Sequence, residues 1–131
     1  MPPTRIVARY ADGRTVKGTS LDFSPAKIAF HMTSYEPGAR PVRVLVQDLK
    51  AVFFVKDLIG NAAYTDVQQF DKPSPGRKVR VTFADGEVLV GTTQTYQHDK
   101  PTFMVSPADP KSNNDRVCVV LKAVTAVDFL P

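Results

Sequence analysis

The chain of 131 residues repeats itself. Ala11-Asp12-Gly13 followed by Gly18-Thr19 returns as Ala84-Asp85-Gly86 followed by Gly91-Thr92, an offset of 73. The same offset pairs Ile6 with Val79, Tyr10 with Phe83, Val16 with Leu89, Phe23 with Tyr96 and Phe30 with Phe103. After a loop two residues longer in the second copy, the offset becomes 75. It then pairs Val42 with Val117, Val44 with Val119, Leu49 with Val124, Val52 with Val127 and Phe54 with Phe129. Glycines, aromatics and apolar alternation recur together between residues 5–58 and 77–130. Any fold open to this chain must therefore be assembled from two like units.

Within each unit the apolar period is two, the period of a strand. Residues 5–10 place Ile6, Ala8 and Tyr10 on one face and Arg5, Val7 and Arg9 on the other. Residues 78–83 alternate in the same way. Asp-Gly follows both segments and predicts a type I′ hairpin. The second strands, 15–21 and 88–95, carry Gly18 and Gly91 in their interiors, which fits a bulge or a sharp bend. Three further pairs of strands are predicted at 28–32 and 102–105, 42–46 and 116–121, and 51–55 and 124–130. Five short bent strands per unit predict an all-β fold of two tandem, internally duplicated five-stranded barrels of the SH3 or Sm type. They should pack on each other, because so small a unit buries little core alone. Residues 1–58 form the first barrel repeat, 59–76 a connector and 77–131 the second barrel repeat. Within the connector, 61–70 suits one or two helical turns, and the prolines and glycine of 71–76 make a loop. Residues 51–55 are apolar on both faces. They are expected to be buried between the two units, with an interface to another chain as the alternative.

The composition, 43% hydrophobic and 23% charged, is that of a globular chain. No run approaches the roughly 18 apolar residues of a membrane span. The first residues lack the apolar core of a secretory leader, so a cytoplasmic location is expected. The single cysteine, Cys118, excludes an internal disulfide and a cysteine-rich metal site. His31 and His98 have no metal-ligand spacing, and Gly-x-Ser-x-Gly, P-loop and Gly-x-Gly-x-x-Gly patterns are missing. Asp12, Asp85 and Asp109 sit where turns need them. The chain is therefore expected not to be an enzyme and to need neither metal nor cofactor. Its net charge is +4. The surplus lies in residues 1–58, with nine basic and five acidic side chains against eight and eight afterwards. A basic face there could draw phosphates, although solubility is the simpler reading.

Three resemblances bear on function. Asp12-Gly13-Arg14 with Gly18-Thr19 resembles the first Sm motif, and the apolar fourth and fifth strands resemble the second. The family's RNA pocket would need an Asn near residues 20–28 and an Arg-Gly where Val44-Leu45-Val46 stand. The resemblance thus implies the barrel and argues against nucleic acid as partner. Arg5-Ile6-Val7-Ala8-Arg9 and Asp22-Phe23-Ser24-Pro25-Ala26-Lys27 resemble the two signatures of PilZ domains, with Lys27 at the place of the final glycine. PilZ domains bind cyclic di-GMP, which would make Arg5, Arg9, Asp22 and Ser24 the ligand residues, arginines gripping phosphates and guanine edges. Finally, residues 49–57 and 112–117 resemble segments of an uncharacterised family of small bacterial proteins, a likeness that covers most of the chain.

The reading that joins these observations is a non-catalytic binding or adaptor module whose partner is another protein. Its expected contact surface is the Pro/Asn-rich loop 106–116, with Asp109, Asn113, Asn114 and Arg116, together with the connector around Tyr64 and Phe70. A cyclic di-GMP-binding regulator is the alternative, and nonspecific nucleic-acid binding the second.

Overall fold

A computed structural model describes residues 4–25, 27–56, 76–109 and 112–131. The described residues form ten strands: β1 (Thr4–Tyr10), β2 (Thr15–Ser20), β3 (Ala29–Ser34), β4 (Val42–Leu45), β5 (Leu49–Val55), β6 (Arg77–Phe83), β7 (Val88–Thr93), β8 (Thr102–Pro107), β9 (Asn114–Val120) and β10 (Val124–Phe129). Short 3-10 turns, Val46–Asp48 and Leu121–Ala123, precede β5 and β10. No helix among the described residues is long and apolar enough to cross a membrane. The helical turns expected at 61–70 fall outside the described residues, as does nearly all of the connector.

The fold is all-β, but the two separate barrels give way to one antiparallel sheet of ten strands that does not close. Its order is β10-β6-β7-β8-β9-β5-β1-β2-β3-β4. Each repeat contributes the same five-strand order. A closed unit would join its fifth strand to its own fourth. Instead β5 turns its outer edge to β9, pairing Ala51 with Val119, Val52 with Cys118 and Phe53 with Val117. The reason lies in β5 itself: all seven of its residues are buried, so both faces need apolar cover. The other repeat supplies that cover.

Two cores result, and the seam strands feed both. Val7, Ala51, Phe53 and Val55 pack with Val79, Val81, Phe83, Phe103, Val105, Val117 and Val119. Cys118 and Val120 pack with Ile6, Ala8, Phe30, Met32, Val44, Leu49, Val52 and Phe54. The alternation expected along residues 5–10 is thus realised, with Val7 and Ile6 looking into opposite cores. The duplication extends to ring geometry. Phe23 meets Phe30 and Phe54 edge-on at 4.9 and 5.2 Å. Tyr96 meets Phe103 and Phe129 in the same way at 5.0 and 5.3 Å. Such edge-to-face pairs add about 0.5–1.5 kcal/mol each beyond area burial.

The hairpins correct one expectation. Type I′ needs positive φ at both turn residues, yet among the described residues positive φ occurs only at glycines, Gly13 at 100° and Gly86 at 94° among them. The Gly13 amide donates to the Tyr10 carbonyl, and the Tyr10 amide to the Arg14 carbonyl. That is a three-residue loop whose last residue is left-handed. Asp12 Oδ1 accepts from the Arg14 amide at 3.0 Å, and Asp85 Oδ1 from the Glu87 amide at 2.9 Å. Gly18 and Gly91 serve a close crossing. A Cβ on Gly18 would sit 2.0 Å from the Thr33 carbonyl oxygen, and one on Gly91 2.1 Å from that of Ser106. There β3 and β8 change partners. Thr33 and Ser34 pair with β2, whereas Ala29–Met32 pair with β4.

One buried cation braces the halves. Lys50, 6% exposed, reaches Asp85 at 2.7 Å and Glu87 at 2.5 Å, with the Phe83 ring centroid 4.7 Å from its Nζ. The Lys50 hydrogen bond, reinforced by the Glu87 amide, holds Asp85 below the usual carboxylate range.

Two outcomes follow. Gly91→Ala should lower the free energy of unfolding by about 2–3 kcal/mol in urea titrations, because the third strand must move away. A loss under about 0.5 kcal/mol would contradict the close crossing. The pair Asp85→Asn and Glu87→Gln leaves a buried ammonium unpaired and should cost about 2–4 kcal/mol, more than Lys50→Met, which removes the charge itself. The reverse ranking would show that the brace does not matter.

Candidate functional site

A cleft opens where the halves meet at one end of the seam. Thr4 starts β1, Ser20 ends β2, and the chain then crosses as Leu21, Phe23 and Pro25. Together with Phe54, Met104 and Arg116 they line a cavity of about 180 Å³. Phe23, Phe54 and Met104 give it an apolar wall. Its rim is polar, and the Arg116 guanidinium lies over the Phe54 ring, 4.4 Å from the centroid. Arg116 comes from β9 and Phe54 from β5, so only the seam brings them together. The Thr102 hydroxyl, also from the second half, donates to the Pro25 carbonyl at 3.2 Å and fixes the crossing loop. Leu21 stands 79% exposed at the cleft, and Ile28, at the end of the same loop, is equally exposed.

The loop is held from below by Asp22. Its Oδ1 accepts from the His31 amide at 2.9 Å and from the Ser20 hydroxyl at 3.2 Å, while Oδ2 lies 2.9 Å from His31 Nδ1. The His31 ring, then its amide, pull the Asp22 carboxyl down to about 2.

The residues singled out in the sequence fare unequally. Arg116 lines the cleft. Asp22 braces its loop, with Ser24 in the same loop and half-buried. Arg5 and Arg9 are exposed on one face of β1, and Arg9 lies over the Phe53 ring at 5.3 Å. Both share that face with Val7, which packs against the second half's core, whereas Ser20 and Phe23 line the cleft. In the loop 106–116, Asp109 is 6% and Ser112 0% exposed. The Ser112 amide donates to the Asp109 carbonyl, the Lys56 amide to that of Asn113, and Asn114 pairs with Val55 in the sheet. Among the described residues of this loop, Asp109 and Ser112 are buried, Asn113 and Asn114 half-buried, and Asp115 and Arg116 exposed. Tyr64 and Phe70 lie outside the described residues. Cys118 is a core residue, 1% exposed, and burial pushes its thiol up to about 11. Leu21, Phe54 and Met104 were not singled out as site residues. Leu21 and Ile28 were expected to end and begin strands, at 15–21 and 28–32, whereas β2 ends at Ser20 and β3 begins at Ala29, which leaves both in the crossing loop.

A second depression, about 480 Å³, is lined by Ala11, Asp12, Arg14, Gln47, Asp48, Leu49, Lys122 and Ala123. Arg14 there is already bound to Asp12 at 2.8 Å and stacked on Tyr10 at 4.4 Å. Among the described residues no group of three or more His, Cys, Asp or Glu could hold a metal ion.

Acid should loosen the cleft loop. The folded carboxyl of Asp22 titrates at about 2 instead of 3.8, so its contribution is complete above pH 3.8 and disappears as pH falls toward 2. His31→Ala should flatten that part of the stability profile. Equal slopes for variant and wild type in urea series across this window would refute the assignment.

No curated protein and no solved structure matches the chain. The duplicated strands, the seam and the cleft belong to a chain whose residues 2–131 match a family of unknown function, DUF6982, and the protein is a member of that family.

Proposed function

We propose that the protein is a non-catalytic adaptor of the bacterial cytoplasm that docks a segment of another protein in the cleft between its halves. One observation carries this reading: a pocket of about 180 Å³, with an apolar wall of Phe23, Phe54 and Met104 and a polar rim, opens beside the exposed Leu21 and under an arginine. That space takes one apolar side chain. Arg116 stacked on Phe54 can still offer outer N–H donors to a carboxylate of the incoming segment. The exposed Leu21 at the edge of such a pocket supports this reading.

A photo-crosslinking residue in place of Leu21, introduced in the native cells, tests this. The expected result is a discrete covalent adduct with another protein. The adduct should be lost when Arg116→Glu is added and should not form from a crosslinker at the exposed Arg80. An equal yield from both positions, or none from Leu21, overturns the reading. The nucleotide-regulator alternative is less supported, since Asp22 is committed to His31 and Arg9 to Phe53. Calorimetric titration with cyclic di-GMP distinguishes it: stoichiometric binding lost in Arg5→Ala and Arg9→Ala would replace the adaptor reading.

A further inference from the structure

The seam inside the chain joins the fifth strand of one repeat, β5, to the fourth strand of the other, β9. It is head-to-tail, because the two repeats offer different strands to it. This leaves one unused example of each kind. β4 is the counterpart of β9 and ends the sheet on one side, while β10 is the counterpart of β5 and ends it on the other. Among the described residues no strand covers the outer edge of either. We propose that a second copy of this chain docks there, β10 of one copy pairing antiparallel with β4 of the next, as β5 pairs with β9.

The repeat offset of 75 supplies the register. Ala51 opposite Val119 becomes Ala126 opposite Val44, Val52 opposite Cys118 becomes Val127 opposite Arg43, and Phe53 opposite Val117 becomes Asp128 opposite Val42. The hydrogen bonds that the edge strands already make provide an independent check of phase. The Val46 amide donates inward to the Ile28 carbonyl, so alternation turns those of Val44 and Val42 inward and that of Arg43 outward. The Leu130 amide donates inward to the Lys78 carbonyl, which turns Asp128 inward and Val127 and Phe129 outward. Val127 and Arg43 therefore face each other with both amides and both carbonyls outward, as a hydrogen-bonded antiparallel pair requires.

Exposure follows the same logic. Every residue of β5 is buried, yet none of β10 is. Val117 is 0% exposed in the internal seam, whereas its counterpart Val42 is 48% exposed at the free edge. The substitutions between seam and edge are also directed. Cys118 is replaced by Arg43 on β4, with Arg40 three residues before it, and Phe53 by Asp128 on β10. The β4 edge is basic, whereas Asp128 on β10 is already paired with Arg80 of β6 at 3.6 Å, so backbone pairing and phase rather than charge carry the contact. Pro41 stands where the seam has Arg116 and lacks an amide, which costs the contact one hydrogen bond. The contact between copies is accordingly weaker than the internal seam and reversible. Head-to-tail pairing of this kind builds rings where the rotation closes and open chains where it does not.

Two edge prolines test the proposal, because each removes an outward amide and leaves the inward bonds of its strand intact. In sedimentation over a rising concentration series, the wild-type chain should grow through integral multiples of its monomer mass. Arg43→Pro and Val127→Pro should each remain monomeric while keeping the wild-type thermal melt. Mixed together they should form a dimer and nothing larger, since each keeps the edge that the other has lost. A wild-type chain that stays monomeric throughout overturns the proposal, and so does assembly that survives both prolines. A mixture that remains monomeric overturns the head-to-tail arrangement. Should one variant fail to melt like wild type, the other still decides: added to wild type it must cap growth and lower the mean mass.

Discussion

β5 has no face to give to water. Ala51, Phe53 and Val55 look into one core, where Lys50 also turns toward Phe83; Leu49, Val52 and Phe54 look into the other, and all seven are buried. A strand like this can exist only with apolar cover on both sides, and its own repeat supplies only one. Much of the structure depends on how the second side is met. β9 pairs along the edge of β5, Val117 and Val119 continue one core, and Cys118 and Val120 the other. The repeats therefore cannot separate without stripping cover from both cores. The single charged residue in the strand, Lys50, is tolerated because Asp85 and Glu87 come from the other repeat to meet it.

The same seam makes the cleft. Arg116 and Met104 belong to the second repeat, Phe23, Leu21 and Phe54 to the first, and neither set encloses a space alone. The repeats differ here. The second repeat keeps the aromatic trio as Tyr96, Phe103 and Phe129, but Arg77 of its own first strand lies over Phe129, 3.7 Å from the ring centroid. The first repeat has Thr4 at that place and leaves its ring to an arginine from across the seam. One ancestral surface has thus become an inter-repeat cleft in one copy and a covered patch in the other.

Much of the fold was legible because it rests on local chemistry. Alternation gave the ten strands to within a few residues, and the two offsets gave their equivalence. Residues 51–55 announced their burial through the lack of any polar face. The hairpin type was misjudged because Asp-Gly serves two loop lengths, and the choice depends on which carbonyl the glycine amide finds. Gly18 and Gly91 were visible as breaks in a strand, while their cause, the carbonyls of Thr33 and Ser106, lies on another strand.

What the sequence determined by itself was the all-β character, the duplication and the apolar strand that requires a partner, since period and side-chain polarity act at short range. Which strand would answer that requirement was a tertiary matter. An exposed edge is satisfied by any backbone of the right phase, and the competition between closing each barrel and sharing one sheet is decided by side-chain fit over two cores at once. The site followed the same division. Asp22 and Arg116 could be picked out as chemistry along the chain. Their places, one bracing the loop and the other roofing the cleft, arise only where residues from distant segments of the two repeats are brought together across β5 and β9.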